Sequence, residues 1–268
     1  MTARRPLVPG ELVAGVVDDA LDPTAPTTAV APIDVAAVAP AVASRGRRWL
    51  PVALAGAGGL AAVTIAVTHP GSAVWRWDVE LHAWALAHRG TADSWIAQAV
   101  TWGGATSVAL PALVVVGAWA RRGRVELRTR VGAGVALGAS AALGVWLGLL
   151  LNHQVDRARP PVADWWGAAG GPAFPSGHTT AATIVAGLGA WALSQRVASR
   201  RARSVLWTSA VGCALLVGWS RYWLGVHWPS DVVGGWLLGT TWVALVVAAA
   251  SLARRARDAT SAEPALEA

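Results

Sequence analysis

The amino-acid sequence predicts an all-α fold, an integral membrane bundle of six transmembrane helices, and three observations carry that expectation. Of the 268 residues, 54% are hydrophobic and 14% charged, where a soluble domain carries about a quarter charged. Apolar runs recur near 50–68, 95–119, 131–151, 178–195, 204–220 and 231–252, each close to the roughly 20 residues that cross a bilayer as a helix. The basic residues are all arginine and gather in bursts between those runs, as loop charges that set topology do.

Residues 1–48 come first and differ from the rest. They are rich in Pro and Ala, with Glu11, Asp18, Asp19, Asp22 and Asp34 scattered and no helix-period stripe, a composition expected of a disordered cytoplasmic tail. Arg4 and Arg5 are followed by Pro6, Pro9, Asp18 and Asp19 rather than by an apolar core, which argues against a cleaved signal peptide. After the first run, Trp77, Leu81 and Trp84 share one helical face, as in a helix lying at the membrane interface. Glycines four apart, Gly134 and Gly138, Gly144 and Gly148, Gly235 and Gly239, are the spacing that lets membrane helices approach closely. The membrane unit is expected to cover 49–253, with a short cytoplasmic tail over 254–268.

With six helices both termini share a side. The arginines at 45, 47 and 48, at 121, 122, 124, 128 and 130, at 196, 200, 201 and 203, and at 254, 255 and 257 all fall on that side, which the positive-inside rule makes cytoplasmic. A net charge of +7 distributed this way sets topology and is no nucleic-acid-binding face. The single cysteine, Cys213, excludes an intramolecular disulfide.

Three polar clusters sit at the opposite ends of the helices: Arg159-Pro160, Pro175-Ser176-Gly177-His178, and Ser220-Arg221 followed by His227 and Asp231. Ionisable groups at membrane depth are expensive, so several at one level mark a site. Ser176-Gly177 opens a helix whose first N–H groups lack partners, a ready anion site; Ser176 suits the cap and Gly177 permits close approach. His227 and Asp231 are four apart and share a face if the turn is helical, so the carboxylate can fix the imidazole's tautomer. Arg159 offers a fork of donors matched to phosphate. Each cluster alone is also what a capping serine, an interfacial histidine or a solvated loop pair looks like. Arg157 reads as such a loop residue, and Trp165, Trp166 and Phe174 as interfacial anchors or lipid contacts. His69, His82 and His88 have no metal-ligand spacing and read as interfacial.

The three clusters in this order resemble the signature of the type 2 phosphatidic acid phosphatase superfamily, K-x6-R-P, P-S-G-H and S-R-x5-H-x3-D, whose lipid-phosphate phosphatases share a site with vanadium haloperoxidases. The second and third parts match at every specified position, and the first has Asn152 in place of lysine. The resemblance covers roughly residues 50–252. It implies that His227 attacks phosphorus, Asp231 orients it and His178 serves the leaving group and then water. It also implies that Arg159, Arg221, Ser176 and the Gly177 backbone hold the phosphoryl oxygens, with Asn152 a neutral donor there and His153 or Arg157 compensating for the absent lysine. No metal or cofactor is implied, and the partners implied are a lipid phosphate substrate, such as undecaprenyl diphosphate or phosphatidate, and the bilayer. A lipid phosphotransferase using the same histidine, or a lipid-phosphate-binding or transport protein without turnover, are the other classes this pattern admits.

Overall fold

A computed structural model describes residues 48–69, 71–121, 123 and 125–262, with side chains described to Arg257. The segments expected as tails therefore fall largely outside the described residues, 1–47 entirely and 263–268 at the other end. Among the described residues eight α-helices follow in order: α1 (Trp49–Thr68), α2 (Ala73–His88), α3 (Thr91–Thr101), α4 (Thr106–Trp119), α5 (Leu127–Val155), α6 (Gly177–Ser194), α7 (Arg200–Trp223) and α8 (Pro229–Ala262). There is no strand among the described residues.

By length and composition α1, α5, α7 and α8 are able to cross a membrane, and α3 with α4 makes a fifth if the bent pair is one span. The expected count of six is not reached on this criterion alone. The remaining run forms α6, whose first turn is Gly-His-Thr-Thr and whose middle is enclosed by protein, with Ala181, Ile184 and Leu188 fully buried. It packs against α4, α5, α7 and α8 and forms the axis of the bundle. By contrast the large apolar side chains of Leu54, Ile65, Val115 and Leu216 are exposed.

Two expected elements differ from what is observed. The run 95–119 is broken: α3 ends in a 3-10 turn, Trp102–Gly104, and α4 departs at 51°. Gly103-Gly104 removes side chains at the break, and a Cβ at Gly104 would stand 2.6 Å from the His178 carbonyl oxygen. At the other end α8 continues to Ala262, past the apolar run and into the segment expected as a tail, because its Ala- and Arg-rich sequence favours helix.

The paired glycines are contact points. A Cβ at Gly134 or Gly138 would strike α4, at Gly144 the Trp242 ring of α8, and at Gly235 or Gly239 the Thr179 or Thr183 side chains of α6. Close backbone approach thus replaces the hydrophobic drive that lipid cancels. Trp77, Leu81 and Trp84 are all exposed on α2, as expected of an interfacial face. Arg121, Arg254 and Arg257 line a common recess, and Arg196 donates to the Arg121 carbonyl. Members of three of the arginine bursts so converge at one end of the bundle, and the three polar clusters occupy the other.

Candidate active site

The loop after α5 is shaped by Asp156, which ends the helix in the left-handed region (φ 46°) with its N–H bonded to the Asn152 carbonyl at 3.0 Å. Aspartate tolerates this conformation better than most side chains. The reversal turns Arg157 and Arg159 back into the protein. A second loop, 170–175, leads into α6, and the turn between α7 and α8 brings His227 beside both.

His178, Arg159, Arg221, His227, Asn152 and Gly177 line one cavity of about 190 Å³, the volume of roughly six waters and enough for a phosphoryl group. Asp231 lies behind His227, fully buried. Its Oδ2 faces His227 Nδ1 at 3.4 Å and accepts the Trp228 backbone N–H at 2.8 Å. Arg159 Nη1 stands 2.9 Å from His227 Nε2. A guanidinium can only donate, so Nε2 carries a lone pair and the ring hydrogen is on Nδ1, directed at Asp231. Burial, and then the charges of Arg159 and Arg221, hold the His227 imidazole well below its ordinary pKa. The ring is therefore neutral near pH 7, as a nucleophile must be.

Arg159 has all five hydrogens engaged: Nε with the Gly171 carbonyl, Nη1 with Val226 and His227, and Nη2 with the Gly170 and Pro172 carbonyls. Desolvation lowers its pKa, partly offset by Asp231. Arg221 is buried, bonds Thr101 Oγ1 at 2.8 Å, and leaves its Nε hydrogen without an acceptor. Among the described residues neither Arg159 nor Arg221 has a carboxylate partner. Two such guanidiniums at one cavity make a strongly anion-seeking site.

Several sequence expectations require correction. Ser176 occupies the N-cap position of α6 but makes no side-chain cap bond. Its hydroxyl accepts from Thr179 at 3.0 Å and is fully buried, and its N–H bonds the Asp231 carbonyl at 3.0 Å. Asn152 directs its amide hydrogens at the Pro172 and Pro175 carbonyls, 3.0 and 3.4 Å away, so it clamps the loop instead of donating into the cavity. At Gly177 there is open space where a Cβ would stand.

Arg157 is no solvated loop residue. It is buried and bonds Asp231 Oδ1 and Ser230 Oγ, each at 2.7 Å, and Asp78 Oδ2 at 2.6 Å. Neither it nor His153 lines the cavity, so neither replaces the absent lysine. Phe174 is fully buried against Gly234 and does not face lipid. His82 is also buried, 3.0 Å from Asp164. Sequence reasoning missed Thr101, Asp78 and the Trp228 N–H. The first two had a signal: Thr101 precedes a glycine pair, and Asp78 is a carboxylate beside the interfacial tryptophans.

The fold and site together define a helical membrane protein with a histidine-arginine anion cavity. Residues 133–255, which carry all three clusters, match the PAP2 superfamily model. Among known proteins it is 31% identical over 137 residues to a phosphatidylglycerophosphatase B of Bacillus subtilis, covering 51% of this chain and 64% of that protein. It is 35% identical over 78 residues to an undecaprenyl-diphosphatase of Sulfolobus acidocaldarius (27% and 31%), and 33% identical over 111 residues to a lipid A 1-phosphatase of Rhizobium johnstonii (37% and 40%). In each case the matched region spans less than two thirds of the relative's length. The crystal structure of a transmembrane PAP2-type phosphatidylglycerolphosphate phosphatase from Bacillus subtilis superposes with a TM-score of 0.62 at 26% identity, covering 74% of this chain and 93% of that one. Membrane-spanning helices and membrane relatives together make this a multi-pass membrane protein.

Proposed function

We propose that the protein is a lipid phosphate phosphatase that hydrolyses a phosphate monoester or diphosphate of a membrane lipid through a phosphohistidine. The observation that carries this reading is the shared cavity of His178, His227, Arg159 and Arg221, with the His227 ring held between Asp231, which faces its Nδ1 hydrogen, and Arg159, which faces its Nε2 lone pair.

When a phosphate enters, a phosphoryl oxygen takes over the Arg159 hydrogen that Nε2 held, and the lone pair attacks phosphorus as the P–O bond to the leaving group breaks. His178, entering the step as its imidazolium, gives that oxygen a proton and is left neutral. In the second half, His178 removes a proton from water, which attacks phosphorus and releases His227. Arg221 donates its orphaned hydrogen to an equatorial oxygen, and the open N-terminus of α6 at Gly177 adds backbone donors. Ser176 acts through the helix start it fixes. Phosphoryl transfer asks chiefly for such positioning and charge stabilisation. Asp231 remains the acceptor that stabilises the modified ring.

In this reading α6 and the bent pair complete six spans, the arginine end and both termini are cytoplasmic, and the cavity opens at the outer face of the cytoplasmic membrane. Undecaprenyl diphosphate, phosphatidate and phosphatidylglycerophosphate are substrates of the right chemistry. The test is phosphate release from these lipids in detergent with a chelator present. Chelator-insensitive release that vanadate inhibits and His227→Ala abolishes is expected; release that survives His227→Ala excludes the nucleophile.

A further inference from the structure

Asp231 has a second carboxylate behind it. Its Oδ1 bonds Arg157, whose other terminal nitrogen reaches Asp78 in the interfacial helix α2. Asp78 in turn accepts from the Ser230 N–H at 2.9 Å and the Ser230 hydroxyl at 2.6 Å, and the guanidinium carbon lies 4.8 Å from the Trp75 ring centroid. Asp78, Arg157, Ser230 and Asp231 are all buried. Burying four such groups is costly unless every charge is paired, and the exchange for apolar residues of like volume is often neutral or stabilising. A structural purpose alone is thus a weak account of the chain.

We infer that Arg157 and Asp78 are positioning residues for the phosphoryl-transfer reaction, an alternating-charge chain that keeps Asp231 ionised and aimed at His227. The inference rests on the phosphatase reading. Without Arg157 the Asp231 carboxylate would face a neutral imidazole in a dry interior, where a carboxyl group takes up a proton. It would then lose its hold on the Nδ1 hydrogen. Without Asp78 the guanidinium would spend its charge on Asp231 alone and weaken that carboxylate as an acceptor. Asp78 lies outside the matched region 133–255, so this makes α2 a contributor to the chemistry as well as a membrane anchor.

Orthovanadate is the probe, because it takes the position of the transferred phosphoryl group and needs no knowledge of the lipid. Binding to the full chain in detergent is measured by titration calorimetry for the wild type, His227→Ala, Asp231→Asn, Arg157→Gln, Arg157→Lys, Asp78→Asn and the Arg157→Gln/Asp231→Asn pair. Arg157→Gln is expected to weaken affinity roughly 10- to 100-fold, the loss seen when an outer hydrogen-bond partner of a ligating histidine is removed. Stoichiometry per folded chain should hold, Arg157→Lys should recover part of the loss, and Asp78→Asn should weaken binding by a smaller factor.

In the Asp231→Asn background Arg157→Gln should weaken binding no further, since residues acting as one unit are not additive. Wild-type affinity in both Arg157→Gln and Asp78→Asn, or a loss that adds in full to that of Asp231→Asn, overturns the inference. Should Arg157→Gln not fold, Asp78→Asn with and without Asp231→Asn decides by the same criteria. If the wild type binds no vanadate, or His227→Ala binds it equally, the phosphatase reading itself falls. Binding lost in His227→Ala but unmoved by the other changes overturns the positioning chain alone.

Discussion

In the proposed reaction His227 sits where two demands meet, since a nucleophilic nitrogen must be unprotonated and the positive charge around it must still hold an anion. Burial beside Arg159 and Arg221 keeps it neutral, and this has a consequence for stability. Its folded-state pKa is depressed below the ordinary 6.5, so the unfolded chain binds the extra proton first. Stability therefore falls as pH drops below about 6.5 and continues to fall toward the folded pKa. Thermal midpoints in detergent from pH 7.5 downward should decline less steeply in His227→Gln than in the wild type; parallel curves would show that the ring is not held neutral. Asn152 gives a second test at this scale. Asn152→Ala leaves the Pro172 and Pro175 carbonyls without its amide and is expected to lower stability by about 1–3 kcal/mol. Asn152→Lys, which keeps a donor and adds a charge, is expected to raise phosphate release. Release that is unchanged or lower means that the loop clamp, not a missing cation, is what position 152 supplies. Motif spacing made His178, His227, Asp231, Arg159 and Arg221 legible in the sequence, because covalent spacing fixes their order. It left Arg157 illegible: whether an arginine two residues from Arg159 faces solvent or a buried carboxylate 79 residues away depends on tertiary approach.

Among the elements, the broken span between α3 and α4 does most to place the site. Its 3-10 turn brings Gly104 against the His178 carbonyl and sets Thr101 under Arg221, so the break positions one member of each of two motifs. Gly104→Ala would put a methyl group 2.6 Å from the His178 oxygen and 2.7 Å from Val217. Displacing reacting groups by even about 1 Å can lower rates some 100-fold, and kcat/KM for lipid phosphate is expected to fall by about 10- to 100-fold. Gly103→Ala, whose Cβ meets only a Val217 methyl at 3.4 Å, should stay within a few fold of wild type. Equal effects at the two positions would contradict the placement. Hydropathy found the other long helices to within a few residues, except at the C-terminal end of α8, which runs on to Ala262 past its apolar stretch. It could not see the break, since two glycines in an apolar run do not interrupt hydrophobicity.

At the scale of the molecule, arginines of the α4–α5 loop, the α6–α7 loop and the C-terminal end of α8 gather at one end, and the cavity of His178 and His227 opens at the other. Topology predicted from loop charge alone is therefore compatible with one bundle, and it yields a test of sidedness. Single cysteines at Ala163, in the loop at the cavity end, and Ala198, between α6 and α7, are both at exposed positions. In a background with Cys213→Ala, a membrane-impermeant maleimide should label position 163 in intact cells and position 198 only after permeabilisation; the reverse pattern would invert the protein.

In the proposed reaction an imidazole, and not water, makes the first attack on phosphorus. Rapid alkaline quench of the wild-type protein turning over a phosphorus-labelled lipid phosphate, followed by peptide mass spectrometry, tests it directly. An alkali-stable, acid-labile phosphoryl group on His227 that forms and decays fast enough to carry turnover is expected. Turnover with no phosphorylated His227, or with the label on another residue, would contradict it.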